Sequence, residues 1–227
     1  MTQKNKKIYL IISTILCALI MCFIDGVIKP NYLIKSIVKV FLFLIVPLIY
    51  FIINKNEIKE LKKLFTPKKK ELIISLILGI FVYLVIIGGY YLLKDIIDFS
   101  GITENLTKDV GVSKENFIYV AIYISFMNSL LEEFFFRGYA FINLKRLIPR
   151  NIAYTISAGL FAIYHIGMTL EMFNIGLFIL SLIGLYLGGV VFNILNEKSE
   201  NIYCSWLVHM FANFAINTIG LILFGII

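Results

Sequence analysis

Charge is scarce in this chain. Asp, Glu, Lys and Arg make up 15% of its 227 residues and hydrophobic types 60%, a balance that excludes an ordinary soluble domain. The three cysteines, Cys17, Cys22 and Cys204, lie in or beside apolar runs, at spacings that fit neither a zinc site nor a disulfide framework. They read as packing residues. No internal repeat is evident, which leaves an inverted-repeat transporter without direct support. Aromatic residues are the opposite of scarce. A mean hydropathy of +0.91 with 20 Phe and 13 Tyr excludes a disordered chain, a collagen and a disulfide-stapled secreted module. The composition is that of an integral membrane protein, and the expected fold class is all-α, a polytopic bundle of membrane helices.

A hydrocarbon core about 30 Å thick needs roughly 20 apolar residues of helix. Seven runs reach about that length: Ile8–Ile24, Leu33–Ile53, Leu72–Leu93, Phe117–Leu144, Ile152–Leu170, Ile175–Leu195 and Ile202–Leu223. The first follows Lys4, Lys6 and Lys7 but ends at Asp25-Gly26 without a small-residue cleavage site, so it is expected to be retained rather than removed as a signal peptide. Counting Lys and Arg between the runs gives fourteen on the side of the N-terminus and four on the other. By the positive-inside rule the N-terminus is cytoplasmic and the chain a multi-pass protein of the cell membrane. The net charge of +7 is thereby assigned to orientation. Membrane lipids are the expected surroundings, and no nucleic-acid partner is expected. Lys35 and Lys39 are expected to snorkel near the start of the second helix.

Residues 1–93 form an N-terminal group of three helices almost without ionisable residues. Residues 94–116, polar and holding Gly101 and Gly111, are an extracytoplasmic connection. Residues 117–227 hold the chemistry. Within them Gly184 and Gly188 have the small-xxx-small spacing of close helix packing, while Asn128 and Asn193 are explicable as ordinary interhelical hydrogen bonders.

An ionised residue at mid-membrane costs about 2.5–3.5 kcal/mol on insertion scales, so each needs a partner or a purpose. Glu133 and Arg137 are four apart on one helical face, a spacing suited to an ion pair. Glu132 points about 100° away and is expected to face a cavity. Both histidines of the chain, His165 and His209, fall within membrane runs. At 1.5 Å per residue, Glu132, His165 and Asn213 lie about 17–20 Å from the cytoplasmic ends of their helices, with His209 one turn nearer that end. One acid pair, one Arg, every His and an Asn thus converge in depth.

A carboxylate and an imidazole can activate water, while a second imidazole and a carboxamide can hydrogen-bond an oxyanion. This suits hydrolysis of an amide, with Glu132 and His165 as the water-activating pair and His209 and Asn213 as the oxyanion site. Glu132, His165 and His209 are also a possible zinc ligand set, although the His-Glu-x-x-His spacing is absent. No bound cofactor is expected, with metal-assisted hydrolysis kept as the alternative. A thiol mechanism through Cys204 is disfavoured because the nearby acids are better placed as bases. Two non-hydrolytic alternatives stand beside these: a scaffold or self-immunity protein, and a proton-coupled transporter.

Glu132-Glu133-x-x-x-Arg137, Phe161-x-x-x-His165 and His209-x-x-x-Asn213, in this order, resemble the three motifs of the CPBP family of intramembrane proteases. These are also called Abi or CAAX-protease-like proteins, and the Ras-converting CAAX endoproteases are their eukaryotic relatives. The resemblance covers Asn128 to about Asn217 and implies a glutamate-type intramembrane endopeptidase with a cavity open to the cytoplasm. It implies Glu132 as catalytic glutamate, His165 as its partner, His209 and Asn213 as the oxyanion pair, and Glu133 and Arg137 as supports. An eighth helix of some relatives is expected to be missing. The implied substrate is a peptide or membrane-associated protein. Bacteriocin maturation, self-immunity and peptide signalling occur among similar bacterial-type proteins, and such a substrate is favoured over true CAAX processing.

Overall fold

In a computed structural model that describes residues 1–99 and 101–227, the chain is all-α, with no strand among the described residues. Seven helices are long and apolar enough to cross a membrane: Gln3–Ile28, Tyr32–Ile53, Lys69–Leu93, Phe117–Leu144, Arg150–Leu170, Ile175–Ser199 and Tyr203–Leu223. Each coincides with one of the apolar runs. The first begins earlier than its run because Thr2 caps it, accepting from the Asn5 amide at 3.2 Å, so the helix carries its lysines out of the apolar zone. Asn31 and Asn174 cap the second and sixth spans in the same way, each at 3.0 Å. Asp25-Gly26 does not end the first span. A π turn, Ile24–Ile28, continues it to a left-handed Lys29 with φ 47°. A second π turn, Phe41–Ile45, precedes Pro47, and a widened turn is one way a helix absorbs a residue without an N–H.

The outside of the bundle is apolar and the inside holds the polar groups. Leu33, Leu92, Ile96 and Ile175 are each at least 69% exposed, while Ser129, Ser157, Asn193 and Arg137 are completely buried. That inversion of the soluble pattern is what a lipid solvent imposes, since exposed polar groups would go unsatisfied there.

The fourth span occupies the middle. All thirteen residues from Glu132 to Leu144 are buried, because the first, second, fifth, sixth and seventh spans surround them. Much of this helix is wound with π geometry, over Ile124–Asn128 and Glu133–Phe141. Neighbouring side chains take up its carbonyls. Asn217 donates to Ala121 O at 3.2 Å, Trp206 Nε1 to Phe126 O at 3.1 Å, and Ser157 Oγ to Phe136 O at 2.9 Å. The seventh span is thereby riveted along the first half of the fourth.

The basic loop after the second span closes one end of the bundle. Its short helix Ile58–Leu64 sets Leu64 against Gly138, where a Cβ would lie 2.9 Å from Leu64 Cδ1, and Leu64 O accepts from the Ile202 amide at 3.0 Å. Arg146 donates to Glu60 at 2.7 Å, which holds that carboxyl below the usual range. In the 94–116 connection Gly111 is left-handed with φ 71°; Ser100 of that connection lies outside the described residues.

The glycine reading needs correction. A Cβ on Gly184 or Gly188 would meet nothing within 4 Å, whereas one on Gly189 would lie 3.0 Å from Ala158 Cα. The sixth span rotates this adjacent glycine toward the fifth, and helical spacing alone does not specify that rotation. The tightest approach is Gly167 against the first span, where a Cβ would lie 2.1 Å from the Cys22 carbonyl oxygen. Cys17 and Cys204 are buried, Cys22 is half-buried, and all three are free thiols.

Because the atom facing Gly167 is backbone, Gly167→Ala should destabilise the protein by about 1–3 kcal/mol. Gly188→Ala should stay within about 0.5 kcal/mol of wild type. Reversible unfolding of the two variants in mild detergent checks this, and equal stabilities would contradict the packing described.

Candidate active site

Adjacent acids on one helix must diverge, and here they do. Glu133 reaches Arg137 Nη1 at 3.3 Å, with both side chains wholly buried, as the four-residue spacing requires. The guanidinium lies between two rings, its carbon 4.1 Å from the Phe161 centroid and 4.9 Å from that of Phe192. A desolvated cation over an aromatic face gains about 2 kcal/mol or more. The sixth span can bring Phe192 this close because Gly189 has no side chain: a Cβ there would sit 3.2 Å from Arg137 Nη2.

Glu133 also accepts from His209 Nδ1 at 2.9 Å. The carboxylate only accepts, so Nδ1 carries the hydrogen and Nε2 is left for other work. The imidazole is stacked on Phe192, 5.1 Å between centroids and 21° between planes, and its Nε2 lies 3.8 Å from Glu132 Oε2. That distance is too long for a direct hydrogen bond and leaves Nε2 beside the unpartnered carboxylate oxygen.

Glu132 is 1% exposed, and its two oxygens have different surroundings. Oε1 accepts from the Tyr164 hydroxyl, from Asn128 Nδ2 at 2.6 Å and from Lys39 Nζ at 3.3 Å. Oε2 has no hydrogen-bond partner among the described residues. Glu132 is therefore not free as expected: one oxygen is clamped and only the other lacks a partner. Lys39 does not snorkel. It crosses to the fourth span, bonding Asn128 Oδ1 at 2.8 Å as well as Glu132, and lies 5.2 Å from the Tyr164 ring centre. Lys35, one turn earlier, pairs with Asp25 at 3.4 Å.

His165 sits where the helix Arg150–Tyr164 gives way to Ile166–Met172. Its Nδ1 donates to the Phe161 carbonyl at 2.7 Å, since a carbonyl can only accept, and Nε2 is again the nitrogen left over. The ring lies 4.0 Å from that of Tyr164 and within electrostatic reach of Glu132, His209 and Lys39. Asn213 lies one turn beyond His209, and its Nδ2 donates to the Ile124 carbonyl at 3.2 Å. An amide nitrogen has two hydrogens, of which this bond uses one.

The depth expectation is therefore corrected for the last span. His209, not Asn213, is level with the acids, because π winding packs more residues into each turn and shortens the fourth span below the 1.5 Å rise assumed. Among the described residues no group of three His, Cys, Asp or Glu side chains is placed to hold a metal ion. Sequence reasoning missed Lys39 and Tyr164, and read Asn128 as glue when it contacts Glu132 directly. An unpaired lysine inside an apolar run was the one available signal.

Residues 114–215 match the family described as type II CAAX prenyl endopeptidase Rce1-like. No curated protein and no solved structure gives a match. The matched stretch, a little under half of the chain, contains Glu132, Glu133, Arg137, His165, His209 and Asn213, in agreement with the motif resemblance. The stretch is similar to that CAAX-type endopeptidase family, and it lies in a chain with seven helices long and apolar enough to cross a membrane.

Removing Glu133 would strand a buried guanidinium and release His209, so Glu133→Ala should destabilise the fold by about 3–5 kcal/mol. Unfolding of the detergent-solubilised variant measures this; a loss below about 1 kcal/mol would mean that Arg137 finds other compensation.

Proposed function

We propose, from an Rce1-like segment set in seven membrane spans, that the protein is a glutamate-type intramembrane endopeptidase acting on a membrane-associated protein or peptide. The observation that supports this is the unequal treatment of the Glu132 oxygens. Oε1 is held by three donors, and Oε2 faces the free nitrogen of a histidine at 3.8 Å.

A water between Oε2 and the imidazoles is polarised from both sides. Glu132 Oε2 takes its proton as the oxygen attacks the carbonyl carbon, and His165, pinned through Nδ1, orients the water through Nε2. General base catalysis of this kind contributes about 10²- to 10⁴-fold. The oxyanion is held by Nε2–H of protonated His209 and by the second amide hydrogen of Asn213, each such donor being worth about 10²- to 10³-fold. The C–N bond then breaks as Glu132 returns the proton to the departing amine. Glu133 and Arg137 keep His209 in place and do not touch the substrate. The N-terminus faces the cytoplasm in this reading, because the basic loops share its side.

Internally quenched peptides ending in a cysteine and three further residues, with and without a farnesyl group, test the proposal on protein in proteoliposomes. Glu132→Gln and His165→Ala should each lower kcat by about 10²-fold or more. Cleavage of either peptide at wild-type rates by both variants would overturn it, and a phenotype preserved in Glu132→Gln would favour the scaffold or self-immunity reading. Treatment with a chelator should leave the rate unchanged. Loss of activity restored by zinc would replace the water mechanism with a metal-assisted one.

A further inference from the structure

We propose that Lys39 is a positioning residue for Glu132, supplied to the site from outside the Rce1-like segment. The inference rests on the reading of Glu132 as general base and adds a residue to it. Lys39 belongs to the second span, well before residue 114 where the family match begins. An ammonium within a membrane span costs about 2.5–3.5 kcal/mol on insertion scales unless it is paired, and a lysine that only needed water could snorkel outward. Lys39 instead turns inward, its side chain 14% exposed, to Glu132 and Asn128.

Two consequences follow from those contacts. The first concerns orientation. Lys39 donates to Asn128 Oδ1, and this fixes the amide so that its nitrogen, not its oxygen, faces Glu132. Lys39 therefore acts on Oε1 twice, directly at 3.3 Å and through Asn128. Together with the Tyr164 hydroxyl these donors fill Oε1 and leave Oε2 as the reacting oxygen. The second concerns charge. The buried cluster contains two acids, Glu132 and Glu133, and two basic side chains, Arg137 and Lys39, paired as Glu133–Arg137 and Glu132–Lys39, with the imidazoles of His165 and His209 beside them. Without Lys39 the ammonium bonded to Glu132 is gone and only the imidazoles face that carboxylate, His209 at 3.8 Å with its Nδ1 already held by Glu133. The carboxylate is then less well compensated in a low-dielectric interior and takes up a proton more readily. A protonated Glu132 cannot accept one from water.

The test compares full-length Lys39→Met, Lys39→Gln and Lys39→Arg with wild type and with Glu132→Gln. A hydrophobic carbodiimide adds to protonated carboxyls and spares ion-paired carboxylates, so its attachment to Glu132, located by peptide mass spectrometry at neutral pH, reads the state of that group without a substrate. Labelling should rise about tenfold in Lys39→Met and Lys39→Gln, the change that 1.4 kcal/mol represents, and return to near the wild-type level in Lys39→Arg. Lys39→Gln keeps a donor for Asn128 and so serves where Lys39→Met fails to fold. Wild-type labelling in both neutral variants would overturn the inference. With the quenched peptides, the neutral variants should lose about 10²-fold in kcat at nearly unchanged KM, and Lys39→Arg should recover most of it. Wild-type kcat in the neutral variants beside an inactive Glu132→Gln would reject the role of Lys39 and leave the base intact. An active Glu132→Gln would reject the base itself, and the labelling result would then decide only the ion pair.

Discussion

Two consecutive carboxylates inside an apolar bundle impose a condition on every element around them: each must find its own cation or donor set without reaching water. The fourth span carries both acids, and the surrounding spans supply the compensation. Arg137, on the same helix, answers Glu133. Lys39 arrives from the second span, Tyr164 from the fifth and His209 from the seventh.

The same condition explains why the fourth span is buried on all sides although it contains Glu, Arg and Asn. A charged helix in lipid must face the bundle interior, and a helix with charges on several faces must be surrounded. Its π winding has a cost in regular hydrogen bonding, and side chains such as Ser157 and Asn217 offset it by bonding the backbone directly. Such winding recurs at functional sites in helices generally, and here it moves the acids to the level of His209.

The spans were legible in the sequence because hydrocarbon thickness is a single number that any crossing helix must meet. The Glu133–Arg137 pair was legible because it is local, four residues apart on one helix. What the sequence did not disclose depends on how separate helices rotate against each other. Lys39 sits at a depth compatible with snorkelling or with Glu132, and only the orientation of the second span decides between them. Gly184 and Gly188 have the spacing of a packing motif, yet Gly189 makes the contact. His209 was expected one turn away from the acids, a displacement that follows from assuming a uniform α rise for a helix that is partly π.

Gly189 sits on a span that contributes no charge to the cluster, and its lack of a side chain lets the sixth helix close over the Arg137 guanidinium with the Phe192 ring against it. Any methyl at that position would push an aromatic wall off a desolvated cation. The smallest residue of the chain is thus a determinant of electrostatics, acting through what it leaves out, and tolerance at position 189 is set by Ala158 and a guanidinium on neighbouring helices more than by helix propensity.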